Sequence, residues 1–159
     1  MISEWDFLAR VAIAALLGGT LGVEADRRRA AAGIRTFSLV GMGSAAFIAW
    51  SILINAEAGG DTNTLTGLEV RMAAAIVAGV GFLGAGAILR TDERVRGLTT
   101  AASIWITAAI GLLIGSGFWI LGVGVTVLAL IIMIGLRPLH ESIRDSEDGT
   151  DGHGGSGPG

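Results

Sequence analysis

Long apolar runs separated by short polar segments form the hydrophobic pattern of this chain. The longest run, Leu98 to Leu136, contains no Asp, Glu, Lys or Arg. As a single helix it would be about twice as long as the ~30 Å hydrocarbon core of a bilayer. Because Gly115-Ser116-Gly117 lies near its middle, the pattern predicts a turn there and two membrane spans.

Three further apolar runs precede this one when the chain is scanned with a window of about 19 residues. Arg10 lies inside the first run, near an end from which its long side chain can extend to the membrane interface. The other runs carry no formal charge. The predicted fold class is all-α, a polytopic bundle of about five transmembrane helices. The predicted spans are about 7–23, 37–54, 72–89, 98–114 and 118–136.

Composition agrees with an integral membrane protein. Hydrophobic residues make up 52% of the 159 residues, charged residues make up 16%, and the mean hydropathy is +0.68. The absence of cysteine excludes a disulfide framework and a thiolate metal site. The 26 glycines lie mostly inside apolar runs, where small residues allow membrane helices to approach closely.

The arginines predict the orientation, because cytoplasmic loops are enriched in basic residues. Only Arg10 and Arg71 lie on the side predicted to be outside. The N-terminus is therefore expected outside the plasma (inner) membrane and the C-terminus in the cytoplasm. The residues on the predicted cytoplasmic side are Arg27, Arg28, Arg29, Arg35, Arg90, Arg94, Arg96, Arg137 and Arg144.

The pattern of apolar and polar residues divides the chain into two segments. Residues 1–138 are expected to form the transmembrane domain, and residues 139–159 a polar, disordered cytoplasmic tail. Both histidines, His140 and His153, lie outside the spans, and no nucleophile stands beside a histidine. We therefore expect no enzyme activity. The glycine-rich segment lacks the strand–glycine–helix context and the lysine of a phosphate-binding loop, so we expect no nucleotide binding. We also expect no nucleic-acid partner.

Small residues recur every four positions in three of the predicted spans. Each set lines one helix face, and two interpretations are open: the faces hold this bundle together, or they bind a partner helix. The sets are Ala14, Gly18 and Gly22; Gly41, Ala45 and Ala49; and Gly111 and Gly115.

The third span is unusual because Gly79 to Gly86 contains four glycines. Each glycine costs about 1 kcal/mol of helix propensity relative to alanine. The segment is either a close crossing point or a place where the helix unwinds and offers carbonyl oxygens.

Polar groups near the membrane edge supply the remaining candidates. Glu24 ends the first span and Arg35 precedes the second, so the two could form an ion pair; alternatively, Glu24 offers an oxygen to Mg²⁺. In the fourth span, hydroxyls from Thr99 to Thr107 are expected to bond between or along helices. Gly33-Ile34-Arg35-Thr36 and Gly97-Leu98-Thr99-Thr100 both open a span, which raises the hypothesis of a repeated hairpin.

Two blocks of sequence resemble the MgtC/SapB family of membrane proteins. The first is Gly22-Val23-Glu24 with Ala32-Gly33-Ile34-Arg35-Thr36 and Leu39-Val40. The second runs from Gly81 to Ile88, then from Gly97 to Trp105 and from Ala108 to Gly111. The resemblance covers roughly residues 7 to 136. It departs from the family pattern at Ala25, where arginine is usual, and at Gly41, where many members have cysteine.

The resemblance implies a small membrane protein of magnesium homeostasis that modulates the ATP synthase through helix–helix contacts, with a homo-oligomer as a further partner. The alternative is a transporter or channel for Mg²⁺ or another small solute. No cofactor is expected, and Mg²⁺ would be either an ion bound by Glu24 or the transported ion. The motif residues taken as candidates are Glu24, Gly33, Arg35, Thr36, Gly81, Gly84, Gly86, Gly97, Thr99, Thr100, Ser103 and Trp105.

Overall fold

A computed structural model describes residues 3–59, 67–90 and 95–135 and shows a bundle of helices, which confirms the predicted all-α class. A two-residue strand pair joins the third and fourth helices, with Leu89 paired to Arg96 and Arg90 to Val95. The tail predicted at 139–159 lies outside the described residues. The elements are α1 (Glu4–Arg27), α2 (Ile34–Glu57), α3 (Gly67–Gly86), β1 (Leu89–Arg90), β2 (Val95–Arg96), α4 (Leu98–Gly115) and α5 (Trp119–Gly135).

Helices α1 to α4 are each long and apolar enough to cross a membrane, and α5 is a shorter apolar helix of 17 residues. The chain is therefore a multi-pass membrane protein. The predicted third span is shifted, since α3 begins at Gly67 and ends at Gly86, which leaves Leu89 in a strand. The helix begins earlier than predicted because Glu69 and Arg71 lower the hydropathy of its first turns but do not prevent a helix. It ends earlier than predicted, at Gly86, because glycine favours helix termination.

Local signals explain where two of the helices begin. The Oγ of Ser3 accepts a hydrogen bond from the backbone N–H of Asp6 at 3.1 Å, so Ser3 caps α1. Helix α4 begins after Gly97, whose φ of 90° lies in the left-handed region. A Cβ at Gly97 would also collide with the carbonyl oxygen of Ala87, so this turn requires glycine.

Close backbone contacts hold α1, α2 and α4 together. A Cβ on Gly18 of α1 would lie 2.5 Å from the carbonyl oxygen of Phe37 in α2. A Cβ on Gly111 of α4 would lie 2.5 Å from the carbonyl oxygen of Gly41 in α2. These are separations that no side chain tolerates, and the packing interpretation of the small-residue faces therefore describes this structure. The face of α1 that carries Gly18 and Gly22 is buried inside the bundle.

Thr107 occupies the centre of this three-helix crossing. Its side chain is fully buried, and its Cγ2 would lie 3.1 Å from a Cβ on Gly18 and 3.6 Å from one on Gly41. Its hydroxyl donates to the carbonyl oxygen of Ser103 one turn earlier at 2.7 Å. The methyl group thus fills the space that the two glycines leave, and the hydroxyl is satisfied within α4.

Helix α3 lies at the edge of the bundle, against α2 and α4. It is continuous from Gly67 to Gly86, so its glycines do not form an unwound segment in this structure. Gly84 is the glycine that packs, since a Cβ there would lie 3.4 Å from the carbonyl oxygen of Ala101. A Cβ on Gly79, Gly81 or Gly86 would meet nothing within 4 Å. Close packing within the described chain therefore explains Gly84 but not the other three.

Replacing Gly111 with alanine should destabilise the bundle, because the new methyl group would enter the backbone of α2 and force the helices apart. We expect Gly111→Ala to lower the free energy of unfolding by about 1 to 3 kcal/mol, the usual cost of overpacking. Gly124→Ala in α5 is the matched control, since a Cβ at Gly124 meets nothing within 4 Å. Thermal unfolding in mild detergent measures both; equal midpoints for the two variants would contradict the close crossing.

Candidate functional site at the basic membrane face

The end of α1 and the beginning of α2 lie at the same face of the membrane, because the two helices are joined by the short segment from Arg28 to Gly33. We call this the basic face, since Arg27, Arg28, Arg29 and Arg35 all lie there. Helix α3 ends and α4 begins at the same face, because successive spans alternate in direction. The first block and the start of α4 in the second block therefore meet at one end of the bundle, whereas Ala108 to Gly111 lies deeper, against the middle of α2.

Glu24 is a nearly buried carboxylate, with 7% of its surface exposed. Its Oε1 accepts a hydrogen bond from the Nε of Arg28 at 2.8 Å, and its Oε2 lies 3.8 Å from a guanidinium nitrogen of Arg27. The carboxylate is thus paired with arginines of its own helix, one turn later. A magnesium ion at Glu24 would compete with Arg28 for this carboxylate.

Arg35 does not pair with Glu24. It is exposed, and among the described residues it has no acidic partner within salt-bridge distance. Arg28 occupies the carboxylate instead because an i,i+4 neighbour on a helix is held close without any help from tertiary structure. Thr36, the next motif residue, is also exposed. The side chains of Arg35 and Thr36 are therefore exposed to lipid headgroups or to a partner.

Asp26 holds the start of α2 and was not identified from the sequence. Its carboxylate accepts a hydrogen bond from the backbone N–H of Ile34 at 3.1 Å, across the α1–α2 turn. It therefore acts as the cap that Gly33, which has no side chain, cannot supply. A Cβ on Gly33 would collide with this carboxylate. The glycine of the first signature thus makes room for the capping aspartate.

The second signature block forms the α3–α4 contact and the first turns of α4. Gly84 touches Ala101, and the hydroxyl of Ser103 donates to the carbonyl oxygen of Thr99 at 2.8 Å and lies 3.7 Å from the Sδ of Met133 in α5. The Gly84–Ala101 and Ser103–Met133 contacts join α4 to α3 and α5, and the Ser103–Thr99 bond lies within α4. The remaining members divide by exposure: Thr100 is buried, whereas Gly81, Gly86, Thr99 and Trp105 are exposed.

Arg10 forms a separate polar cluster at the opposite end of the bundle. Its guanidinium donates to the carbonyl oxygen of Gly115 at 2.9 Å, pairs with Asp6 at 2.8 Å and lies 5.8 Å from the centre of the Trp119 ring. The side chain is therefore largely buried against the α4–α5 turn, at the end of the bundle. It caps the carboxyl end of α4, where a cation is favourable.

Glu69 is a second carboxylate that the sequence analysis left out. It belongs to the first turn of α3 and is only 2% exposed. The predicted span began at residue 72, so Glu69 was assigned to a loop. A continuation of the helix towards the amino end would have placed Glu69 on the same face as Ile76 and the buried Val80, seven and eleven residues later.

A double-mutant cycle tests the Asp26 cap. Asp26→Ala should lower the free energy of unfolding by about 1 kcal/mol, the usual effect of losing a helix cap. Gly33→Ala should have a similar effect, because its methyl group displaces the carboxylate. The φ of Gly33 is −124°, which any residue adopts, so the collision with Asp26 is its main obstacle.

In the Asp26→Ala background, Gly33→Ala should therefore cost almost nothing. The coupling is measured by comparing the unfolding midpoints of the wild type, both single variants and the double variant. Simple additivity of the two losses would mean that Gly33 is needed for a reason other than the Asp26 carboxylate.

Comparison with known proteins adds three relatives of similar sequence. The chain is 44% identical over 131 residues to the putative magnesium transporter YhiD of Escherichia coli, which covers 80% of this chain and 59% of YhiD. It is 42% identical over 139 residues to protein MgtC of Brucella abortus, covering 85% and 55%. It is 43% identical over 138 residues to protein SrpB of Synechococcus elongatus, covering 82% and 74%.

The chain thus spans a little over half the length of YhiD and of the Brucella MgtC protein. No solved structure matches it. The sequence model of the MgtC family matches residues 11–142, which include both signature blocks and all five helices except the first turns of α1. This chain belongs to the MgtC family.

Proposed function

We propose that this protein acts in magnesium homeostasis at the plasma membrane, as a non-enzymatic protein that binds a membrane protein partner such as the ATP synthase through helix–helix contacts. Its membership of the MgtC family supports the magnesium part of the proposal, as does the name of its relative YhiD, a putative magnesium transporter. The contact part of the proposal depends on a surface of α3.

One side of α3 presents a stripe of small residues to the bilayer. Ala74, Ala78, Gly81 and Ala85 recur at intervals of three and four, so they lie on one helix face, and all four are exposed. A Cβ on Gly81 would meet nothing within 4 Å. This exposed stripe carries the proposal, because small residues allow a second helix to approach closely and the described part of this chain does not use them.

The buried hydroxyls support a contact role over a transport role. Those of Ser103, Thr107 and Thr126 each donate to a carbonyl oxygen four residues earlier in the same helix. Their side chains are also 5% exposed or less, so their oxygens do not face an open path among the described residues. Side chains that carry an ion across the membrane would instead direct polar atoms into a shared aqueous path.

Replacing Gly81 with leucine should block partner binding without unfolding the chain, because the side chain would enter open space and prevent a second helix from approaching. We expect Gly81→Leu to lose co-purification with the ATP synthase from cells grown in limiting Mg²⁺. The same variant should fail to restore growth in limiting Mg²⁺ to cells that lack the gene.

Gly124→Leu is the matched control, since Gly124 is an equally open glycine on α5 and this substitution should leave both results unchanged. If Gly81→Leu retains full co-purification, the α3 stripe is not the surface that binds the partner. If Gly81→Leu instead converts a dimer into a monomer, the partner is a second copy of this chain.

Transport of Mg²⁺ is the second candidate, favoured by the name of YhiD and by the nearly buried Glu24. Purified protein in liposomes that contain an entrapped Mg²⁺ indicator would then give saturable entry above empty liposomes. Because the carboxylate would be the ligand, Glu24→Gln should lower that entry, while Asp26→Asn should lower it less. Equal entry by wild type and Glu24→Gln would exclude this carboxylate from an ion path.

A further inference from the structure

An apolar groove of about 600 Å³ runs between α2 and α3. Its width comes from Gly43 and Gly79, one on each helix, where a Cβ would meet nothing within 4 Å. Its walls are almost entirely apolar, with the hydroxyls of Thr36 and Ser44 as the polar exceptions. The groove is open to the bilayer, so it is a place for an apolar chain and not for water.

The length of the groove matches one leaflet of the membrane. On α2 its lining extends from Thr36 to Phe47, and on α3 from Met72 to Leu83. At 1.5 Å per residue each wall is about 16 Å long, roughly half of a ~30 Å hydrocarbon core. Since Thr36 lies in the first turn of α2, the groove occupies the leaflet next to the basic face.

Arg35 is a cation beside the basic-face end of the groove. It directly precedes the lining residue Thr36 and lies one helical turn before Leu39, so it stands at one edge of the lining face of α2. Its side chain is exposed and has no acidic partner among the described residues. The Asp26 carboxylate already caps the amino end of α2, so Arg35 is the group that would attract an anion at this position.

We propose that the α2–α3 groove binds an anionic phospholipid of that leaflet, with one acyl chain lying between Gly43 and Gly79 and the phosphate at Arg35. The two halves of such a lipid fit the two halves of the site. An apolar helix of a partner would fill the groove but would leave Arg35 without a counterion. A free phosphate would meet Arg35 but would leave the groove empty.

This proposal does not depend on the proposed function. The groove residues Ala75, Gly79 and Leu83 lie on the opposite side of α3 from the stripe that contains Ala78 and Gly81, so the two surfaces can be tested separately. A lipid in the groove would support α3 where its contacts with the described part of the chain are few, since Gly84 alone of its last four glycines packs there against a neighbouring helix.

Native mass spectrometry of the full chain, extracted from vesicles of phosphatidylglycerol and phosphatidylethanolamine, tests the proposal. The wild type should retain one phospholipid per chain, with phosphatidylglycerol preferred. Gly79→Leu should lose almost all of the retained lipid, because its side chain occupies the acyl position. Ala75→Leu fills the same groove one turn away and serves if Gly79→Leu fails to fold.

Arg35→Gln should retain a lipid but lower the preference for phosphatidylglycerol by about fivefold, the effect of one arginine at an anionic surface. Two controls match these variants. Gly124→Leu places the same side chain on an open surface of α5, and Arg29→Gln removes another exposed arginine of the basic face. Both should keep the number of bound lipids and the preference of the wild type.

Several results would overturn the proposal. Lipid retained in full by both Gly79→Leu and Ala75→Leu would place the lipid elsewhere. An equal loss of preference in Arg29→Gln and Arg35→Gln would mean general attraction to the basic face and not a site. A wild type that carries no lipid but forms a dimer, which Gly79→Leu dissociates, would assign the groove to a second copy of the chain.

Discussion

The close crossing of α1, α2 and α4 is the constraint on which the rest of the structure depends. In a bilayer, apolar side chains gain nothing by leaving lipid for protein, so helices associate through close contact of their backbones. Gly18, Gly41 and Gly111 permit that contact, and the methyl group of Thr107 fills the space between them. Because these positions fix three helices, α3 and α5 can remain at the edge with most of their surface toward lipid.

The sequence predicted the parts of the fold that depend on hydropathy and residue size. The uncharged run ending at Leu136 and the turn at Gly115 to Gly117 indicated the last two helices, and repeats such as Ala14, Gly18 and Gly22 indicated close packing. These signals are local, so one chain is enough to detect them. Glu69 shows the limit: a hydropathy window excludes a charged residue even where the helix continues and buries it.

The polar contacts could not be predicted because each depends on where the chain returns in space. Asp26 caps α2 only because the turn brings the N–H of Ile34 back to it, eight residues later. Arg10 donates to the carbonyl oxygen of Gly115, which lies 105 residues later in the sequence. The partner of Glu24 was misjudged for the opposite reason: Arg28 is a local neighbour four residues later, and the tertiary partner Arg35 was expected in its place.

The repeated Gly at the start of α2 and α4 shows why similar motifs need not have the same structure. Gly33 and Gly97 both precede a helix at the basic face, yet Gly33 is extended and Gly97 is left-handed. A side chain at Gly33 would collide with the carboxylate of Asp26, whereas a side chain at Gly97 would collide with the carbonyl oxygen of Ala87. At both positions the chain reverses direction within a few residues. The shared motif therefore indicates a turn between two spans. Arg35, which has no acidic partner among the described residues, follows only the first of these turns, so the cation beside the groove belongs to the first motif alone.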